Sequence, residues 1–214
     1  MYKIVLFDLD GTLVDTERGL VNSVVYALSK MGITETDINK IKAFIGPSIR
    51  TVFRDIYDMN NEDVEAAATY FRKYYMDKGI YQCSLYQGVK KTLIELKKNN
   101  KYLAIATSKP IENAIEVLRF LKILQYFDHC EGGNMDGTHT CKTEIINDII
   151  SRYKHIDKSE MIMIGDRKFD IEGAKNNGID TIGVLYGYGS IEEINASKPD
   201  FLISEFDWLV RYIF

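Results

Sequence analysis

Three short runs of this chain are apolar throughout, and each stops abruptly at polar residues. They are Ile4–Phe7, ending at Asp8; Tyr102–Ala106, ending at Thr107; and Met161–Ile164, ending at Gly165 and Asp166. A strand without polar–apolar alternation has both faces buried, as a central parallel strand covered by helices does. The segment after each of the last two runs has helical periodicity. After Thr107, Pro110 suits a first helical turn, and Ile111, Ile115, Leu118 and Leu121 then share a face. After Asp166, Ile171 and Ala174 precede Gly178, a helix stop. Thr181–Leu185 and Phe201–Ile203 read as further strands. Strands alternating with helices predict an α/β fold: a doubly wound parallel sheet with helices on both faces.

Residues 15–83 break that alternation. Leu20, Val21, Val24, Val25, Leu28 and Met31 mark one helix, closed by Gly32. Val64, Ala67, Ala68, Phe71, Tyr74 and Tyr75 mark another, closed by Gly79. Ile38–Phe44 and Ile49–Tyr57 read as shorter helices on either side of Gly46 and Pro47. The expectation is two domains: an α/β core from residues 1–14 and 84–214, and an inserted all-helical domain at 15–83. Its aromatic residues have the spacing of bundle core.

Composition narrows the function classes. With 46% hydrophobic and 27% charged residues, the chain belongs with folded globular proteins. Its 27 basic and 31 acidic residues leave a formal net charge of −4, which provides no field for nucleic acid or anionic lipid. No apolar run approaches the roughly 20 residues of a membrane span, and Asp8 interrupts the first run too early for a signal peptide. Cys83, Cys130 and Cys141 form no C-x-x-C pair and read as free thiols of a reducing compartment. The expectation is a cytoplasmic protein without nucleic-acid or membrane partners, monomeric or homodimeric.

Open α/β sheets bind ligands beyond the carboxyl ends of their strands. That places Asp8 and Asp10, Thr107 with Ser108, and Asp166 with Asp170 at the candidate site. Asp8 and Asp10, two apart, leave the same face if the strand persists, and Gly11 frees the next turn. Taken singly, each has an ordinary explanation. Asp-Gly-Thr is common turn chemistry, Thr107 or Ser108 suits a helix N-cap, and Lys142 opens an amphipathic helix as a surface lysine would. Asp170 suits the first turn of a helix. Together they gather four carboxylates, a hydroxyl and a lysine at one sheet edge. Such a negative cluster calls for a cation. Oxygen ligands without His or Cys select a hard ion, and Mg2+ is the natural one for phosphate chemistry. The lysine and the hydroxyl suit the oxygens of a transferring phosphoryl group.

The segment Phe7-Asp8-Leu9-Asp10-Gly11-Thr12-Leu13-Val14-Asp15-Thr16 resembles the D-x-D-G-T motif of the haloacid dehalogenase (HAD) superfamily. Thr107, Lys142, and Gly165-Asp166 with Asp170 resemble its second, third and fourth motifs, in the right order. The helical insert after the first motif and the Tyr-Gly-Tyr-Gly stretch at 186–189 extend the likeness over the whole chain. Within the superfamily it is most similar to the phosphoglycolate phosphatase-like branch.

The resemblance implies a Rossmann-like core with a helical cap that closes over the site and sets specificity. It implies Asp8 as nucleophile, forming an aspartyl-phosphate, and Asp10 as the acid for the leaving alkoxide and then the base for water. Mg2+ would sit on the Asp8 and Asp166 side chains and the Asp10 carbonyl. Thr107 and the Ser108 amide would hold phosphoryl oxygens, and Lys142 would offset charge. Asp170 would orient Lys142 or a metal-bound water. In the cap, Gly46, Pro47 and Arg50 would face the substrate, with Arg50 binding an anionic or hydroxylated part of it; Lys109 is a weaker candidate of the same kind.

The implied function is a Mg2+-dependent phosphatase of small phosphorylated metabolites. A 5′-nucleotidase or pyrophosphatase of the same fold is the alternative. A β-phosphoglucomutase is disfavoured because Glu17-Arg18-Gly19-Leu20 holds no histidine in the early cap helix. Asp10 argues against carbon–halogen chemistry, and the chain order argues against a phospho-accepting receiver domain.

Overall fold

The three apolar runs lie side by side at the centre of one sheet. A computed structural model describes residues 1–37, 40–41 and 49–214, divided into two compact units. Residues 1–15 and 84–214 form one and residues 16–83 the other. In chain order the strands are β1 (Ile4–Phe7), β2 (Val14–Asp15), β3 (Ser84–Leu85), β4 (Tyr102–Pro110), β5 (His129–Gly133), β6 (Met161–Gly165), β7 (Asp180–Val184) and β8 (Phe201–Ile203). Six of them pair, all parallel, in the order β5-β4-β1-β6-β7-β8. The strands β2 and β3 form a separate antiparallel pair.

The helices of residues 16–83 are α1 (Glu17–Lys30), α2 (Ile49–Tyr57) and α3 (Asn61–Asp77). Those of the sheet unit are α4 (Val89–Lys98), α5 (Ile111–Phe120), α6 (Lys142–Arg152), α7 (Lys168–Asn176), α8 (Ile191–Ser197) and α9 (Val210–Ile213). None of the described helices is long and apolar enough to cross a membrane.

All four residues of β1 are fully buried, as two covered faces require. On one side Ile4 and Leu6 join Ala104, Ala106, Met161 and Met163 under Ile145, Ile146 and Ile149 of α6. On the other, Phe7 packs edge-on to Phe127 at 6.2 Å and against Phe206 at 6.0 Å. After β1 and the helical unit, the chain builds β4 and β5 on one flank, then crosses to build β6, β7 and β8 on the other. The strand order therefore reverses at β1, the position where doubly wound sheets bind ligands. Phe7 is level with Ile105 and Ile164 in the ladder, so Asp8, Thr107 and Asp166 all lie just beyond it at the same carboxyl edge.

Three features depart from the sequence reading. The strand β4 continues past Thr107 to Pro110, with a register shift against β5 between those two residues. The polar segment His-Cys-Glu-Gly-Gly forms the edge strand β5, where half-burial removes any apolar signature. Finally, α5 buries Ala114, Val117 and Leu118, while Ile111 and Ile115 are only half-buried. Packing on the sheet rotates the helix away from its most apolar stripe.

In the helical unit, α1 buries Val24, Ala27 and Leu28, and α3 buries Val64, Ala67, Ala68, Phe71 and Tyr75. The Tyr26 and Tyr74 rings lie 5.1 Å apart between these helices. Asn60 caps α3, its side chain accepting from the Asp63 N–H at 3.0 Å. The helix expected at 38–44, and Gly46 and Pro47 with it, lies largely outside the described residues.

Candidate active site

Asp8 is the first residue beyond β1, its N–H donating to Ile164 O at 2.9 Å. The loop after it is tight: Leu9 O accepts from the Leu13 and Val14 N–H groups, both at 3.0 Å. Gly11 makes that loop possible, with φ of +89° and an absent Cβ that would overlap Asp166 Oδ2. Lys142, at the first position of α6, reaches back beneath the edge. Its ammonium donates to Asp8 Oδ1 at 2.5 Å and to Ala106 O at 2.6 Å. It also lies 2.8 Å from Asp170 Oδ1, an ion pair by distance without hydrogen-bond alignment. Asp170, in the first turn of α7, accepts from the Arg167 N–H at 3.0 Å through its other oxygen.

Asp166 comes directly after β6 and is fully buried. The Thr12 hydroxyl donates to its Oδ1 at 3.0 Å and the Tyr188 N–H to its Oδ2 at 2.8 Å. Tyr186 secures the same corner by donating to Thr12 O at 2.9 Å. Gly187 lets the segment lie directly on Asp166, whose Cβ a side chain at 187 would strike.

Thr107 is buried, and its hydroxyl oxygen accepts from the Lys109 N–H at 3.2 Å. The Ser108 hydroxyl donates to Thr140 O at 2.8 Å. Asp10 pairs with Lys109, Nζ to Oδ2 at 2.6 Å. Its Oδ1 is buried with no hydrogen-bond partner among the described residues.

Burial dominates the electrostatics. It pushes Asp8 up to about 6; Lys142 opposes the shift, while Asp170 and Asp10 add to it. Asp166 is pushed up to about 8 by burial and then by the Asp8 and Asp170 charges. Burial works to lower Lys142, but the Asp170 and Asp8 carboxylates outweigh it, so the ammonium stays charged. With all groups ionised, four carboxylates against Lys142 and Lys109 leave two negative charges. One divalent cation cancels that excess. Asp8, Asp166 and Asp170 each offer a carboxylate oxygen within 4.8 Å of the others. All-oxygen donors held close at an energetic cost fit a hard cation such as Mg2+.

The sheet unit thus brings together Asp8, Asp10, Thr107, Ser108, Lys142, Asp166 and Asp170. Arg50 lies on α2 of the helical unit, bound bidentately to Glu65 of α3 at 2.6 and 3.1 Å. Gly46 and Pro47 lie outside the described residues. Sequence reasoning did not single out Thr12 and Tyr188 as the partners of Asp166, or Tyr186 behind them. Its signals were the motif threonine and the Tyr-Gly-Tyr-Gly stretch. It also treated Lys109 as a substrate group, not as the partner of Asp10.

A family model for haloacid dehalogenase-like hydrolases matches residues 5–184, a span containing Asp8, Asp10, Thr107, Ser108, Lys142, Asp166 and Asp170. The chain belongs to that family. Among similar proteins, a 5′-nucleotidase from Pseudomonas aeruginosa is 35% identical over 198 residues, covering 92% of this chain and 89% of its own length. A phosphoglycolate phosphatase from Vibrio parahaemolyticus is 29% identical over 219 residues, covering 99% and 96%. A tyrosine-protein kinase from Mycobacterium tuberculosis is 32% identical over 196 residues, covering 92% of this chain and 66% of the kinase. A crystal structure from Clostridium difficile, named "Putative Phosphatase", superposes with a TM-score of 0.95 at 42% identity, covering 100% and 99% of the two chains. The chain is a phosphatase of the HAD superfamily, an α/β enzyme of the phosphoglycolate phosphatase-like branch.

Proposed function

We propose that this HAD phosphatase hydrolyses small phosphomonoesters through an aspartyl-phosphate intermediate with Mg2+ bound. The observation that carries the reading is the buried Asp8, held by a charged Lys142 beside Asp166 at the carboxyl edge of the central strand. Asp8 and Asp166 with the Asp10 carbonyl would hold the ion, and Asp170 would keep Lys142 in place. A bound Mg2+ supplies charge neutralisation for phosphoryl oxygens.

The residues then divide the reaction. An Asp8 oxygen forms a bond to phosphorus as the ester P–O bond breaks, and Asp10 gives the departing alkoxide its proton. Asp10 next takes a proton from water. That water attacks phosphorus, releasing phosphate and restoring the Asp8 carboxylate. Lys142 offsets charge on Asp8 and the phosphoryl group, while Thr107 and the Ser108 amide hold its oxygens.

Substrate selection is assigned to the helical unit, residues 16–83, through Arg50 and the adjoining Gly46 and Pro47. There the guanidinium that now grips the Glu65 carboxylate would grip a substrate anion in the same fork. The relatives' names favour phosphoglycolate-like esters and, as the second reading, nucleoside 5′-monophosphates. The kinase's name stays with a longer protein. Cysteines not joined in a disulfide among the described residues fit a reducing cytoplasm.

The test is phosphate release from a panel of phosphoglycolate, sugar phosphates, nucleoside monophosphates, pyrophosphate and p-nitrophenyl phosphate, with Mg2+ or chelator. Asp8→Asn should fold and release no phosphate. Ordinary turnover by that variant would overturn the covalent mechanism.

A further inference from the structure

We propose that Lys109 is the positioning residue of the acid–base carboxylate: it binds one oxygen of Asp10 and leaves the other as the oxygen that exchanges protons with leaving group and water. The proposal rests on the reading of Asp10 as acid and base.

The Lys109 side chain is only 7% exposed, although lysine normally keeps its ammonium in water. Its Nζ lies 2.6 Å from Asp10 Oδ2, a charge-assisted bond between residues 99 positions apart. Lys142 already serves Asp8, so the second ammonium is not needed there. The two lysines divide the two carboxylates of the first motif between them.

The backbone that carries Lys109 is braced. Lys109 lies in the irregular end of β4, where the register with β5 shifts between Thr107 and Pro110. Its N–H is tied to the Thr107 hydroxyl oxygen at 3.2 Å. Against its carbonyl lies the edge strand, so close that a Cβ on Gly132 would sit 2.8 Å from Lys109 O. Pro110 comes next, with φ of −51°. An ammonium on such a base restricts the carboxylate it binds, as a swinging surface lysine would not.

Asp10 Oδ1 completes the argument. It is buried and unpartnered among the described residues. An oxygen stripped of water and given no donor costs free energy. That arrangement is kept where the missing partner arrives with the reaction, here a proton and then the oxygen it is passed to. Asp10 therefore has two unlike oxygens, one anchored and one reactive.

The experiment compares kcat/KM at saturating Mg2+ for three esters. p-Nitrophenyl phosphate needs little help from an acid, and 2-hydroxyethyl phosphate, equally uncharged beyond its phosphate, needs much. Phosphoglycolate adds a carboxylate to a comparable alkyl leaving group. Lys109→Met should lose about 10–100-fold on both alkyl esters and only a few-fold on p-nitrophenyl phosphate, and Lys109→Arg should recover most of the loss. Asp10→Asn should show the same leaving-group split, larger.

Equal losses by Lys109→Met on all three esters, with the split intact in Asp10→Asn, would overturn the proposal and leave Asp10 in its role. A loss confined to phosphoglycolate would overturn it in favour of direct substrate binding by Lys109. Absence of a split in Asp10→Asn itself would remove the acid reading and the proposal with it. Lys109→Ser repeats the comparison should Lys109→Met not fold.

Discussion

Replacing Lys142 by methionine removes the ammonium that sits 2.5 Å from Asp8 and 2.8 Å from Asp170 while keeping most of the side-chain volume. Three buried carboxylates, with oxygens within 4.8 Å of one another, then lose the cation between them. Breaking a buried ion pair from one side costs about 3–5 kcal/mol, because the remaining charge is left without compensation. At about 2–4 °C per kcal/mol for a protein of this size, the melting temperature should fall by about 6–20 °C.

The loss should depend on pH, with a definite sign. Asp8 and Asp166 are raised in the folded state to about 6 and about 8 from an ordinary 3.8. Groups raised in this way lend stability that is present below pH 3.8 and lost as pH rises through about 6 and about 8. Without Lys142, which lowers Asp8, that carboxyl rises further. At pH 5 the variant neutralises Asp8 by taking up a proton and loses little; at pH 8 it bears the full cost. Thermal unfolding followed by circular dichroism at pH 5 and 8, with chelator present, measures the difference. Melting equal to the parent at pH 8, or a loss of the same size at both pH values, would refute the reasoning.

Two further outcomes are expected. Added Mg2+ should raise the melting temperature of the parent chain, and more at pH 8 than at pH 5, since protons compete for the Asp8 and Asp166 oxygens. At about 100 times the dissociation constant the gain is about 2.7 kcal/mol; an unchanged melting temperature at pH 8 would remove the ion from this site. Arg50→Ala should change the ratio of activities between phosphoglycolate and p-nitrophenyl phosphate with little effect on melting, because its partner Glu65 is exposed. Equal losses on both esters would withdraw Arg50 from substrate selection.

The parts of the fold that sequence made legible share one physical cause. The runs at Ile4–Phe7 and Met161–Ile164 are buried on both faces, so no polar residue is tolerated in them and they stand out without context. The ends of the three apolar runs then identify the carboxyl edge, and with it Asp8, Thr107 and Asp166. Edge elements lack that constraint. The strand β5 is half-buried and carries His129 and Glu131, which pair with each other at 3.0 Å, so its composition resembles a loop.

Chain order and residue type alone determined the α/β class, because burial restricts which side chains can stand in a central strand, and they pointed to a helical insert and to Asp8, Asp10, Thr107, Lys142, Asp166 and Asp170 as candidate groups. Which group faces which was decided only by tertiary structure. The division of Asp8 to Lys142 and Asp10 to Lys109, and the grip of Thr12 and Tyr188 on Asp166, join residues 22 to 154 positions apart. Such pairings are set by strand register and by the irregular end of β4. Distances of 2.5–3.0 Å between groups so remote in sequence exist only once the sheet has formed.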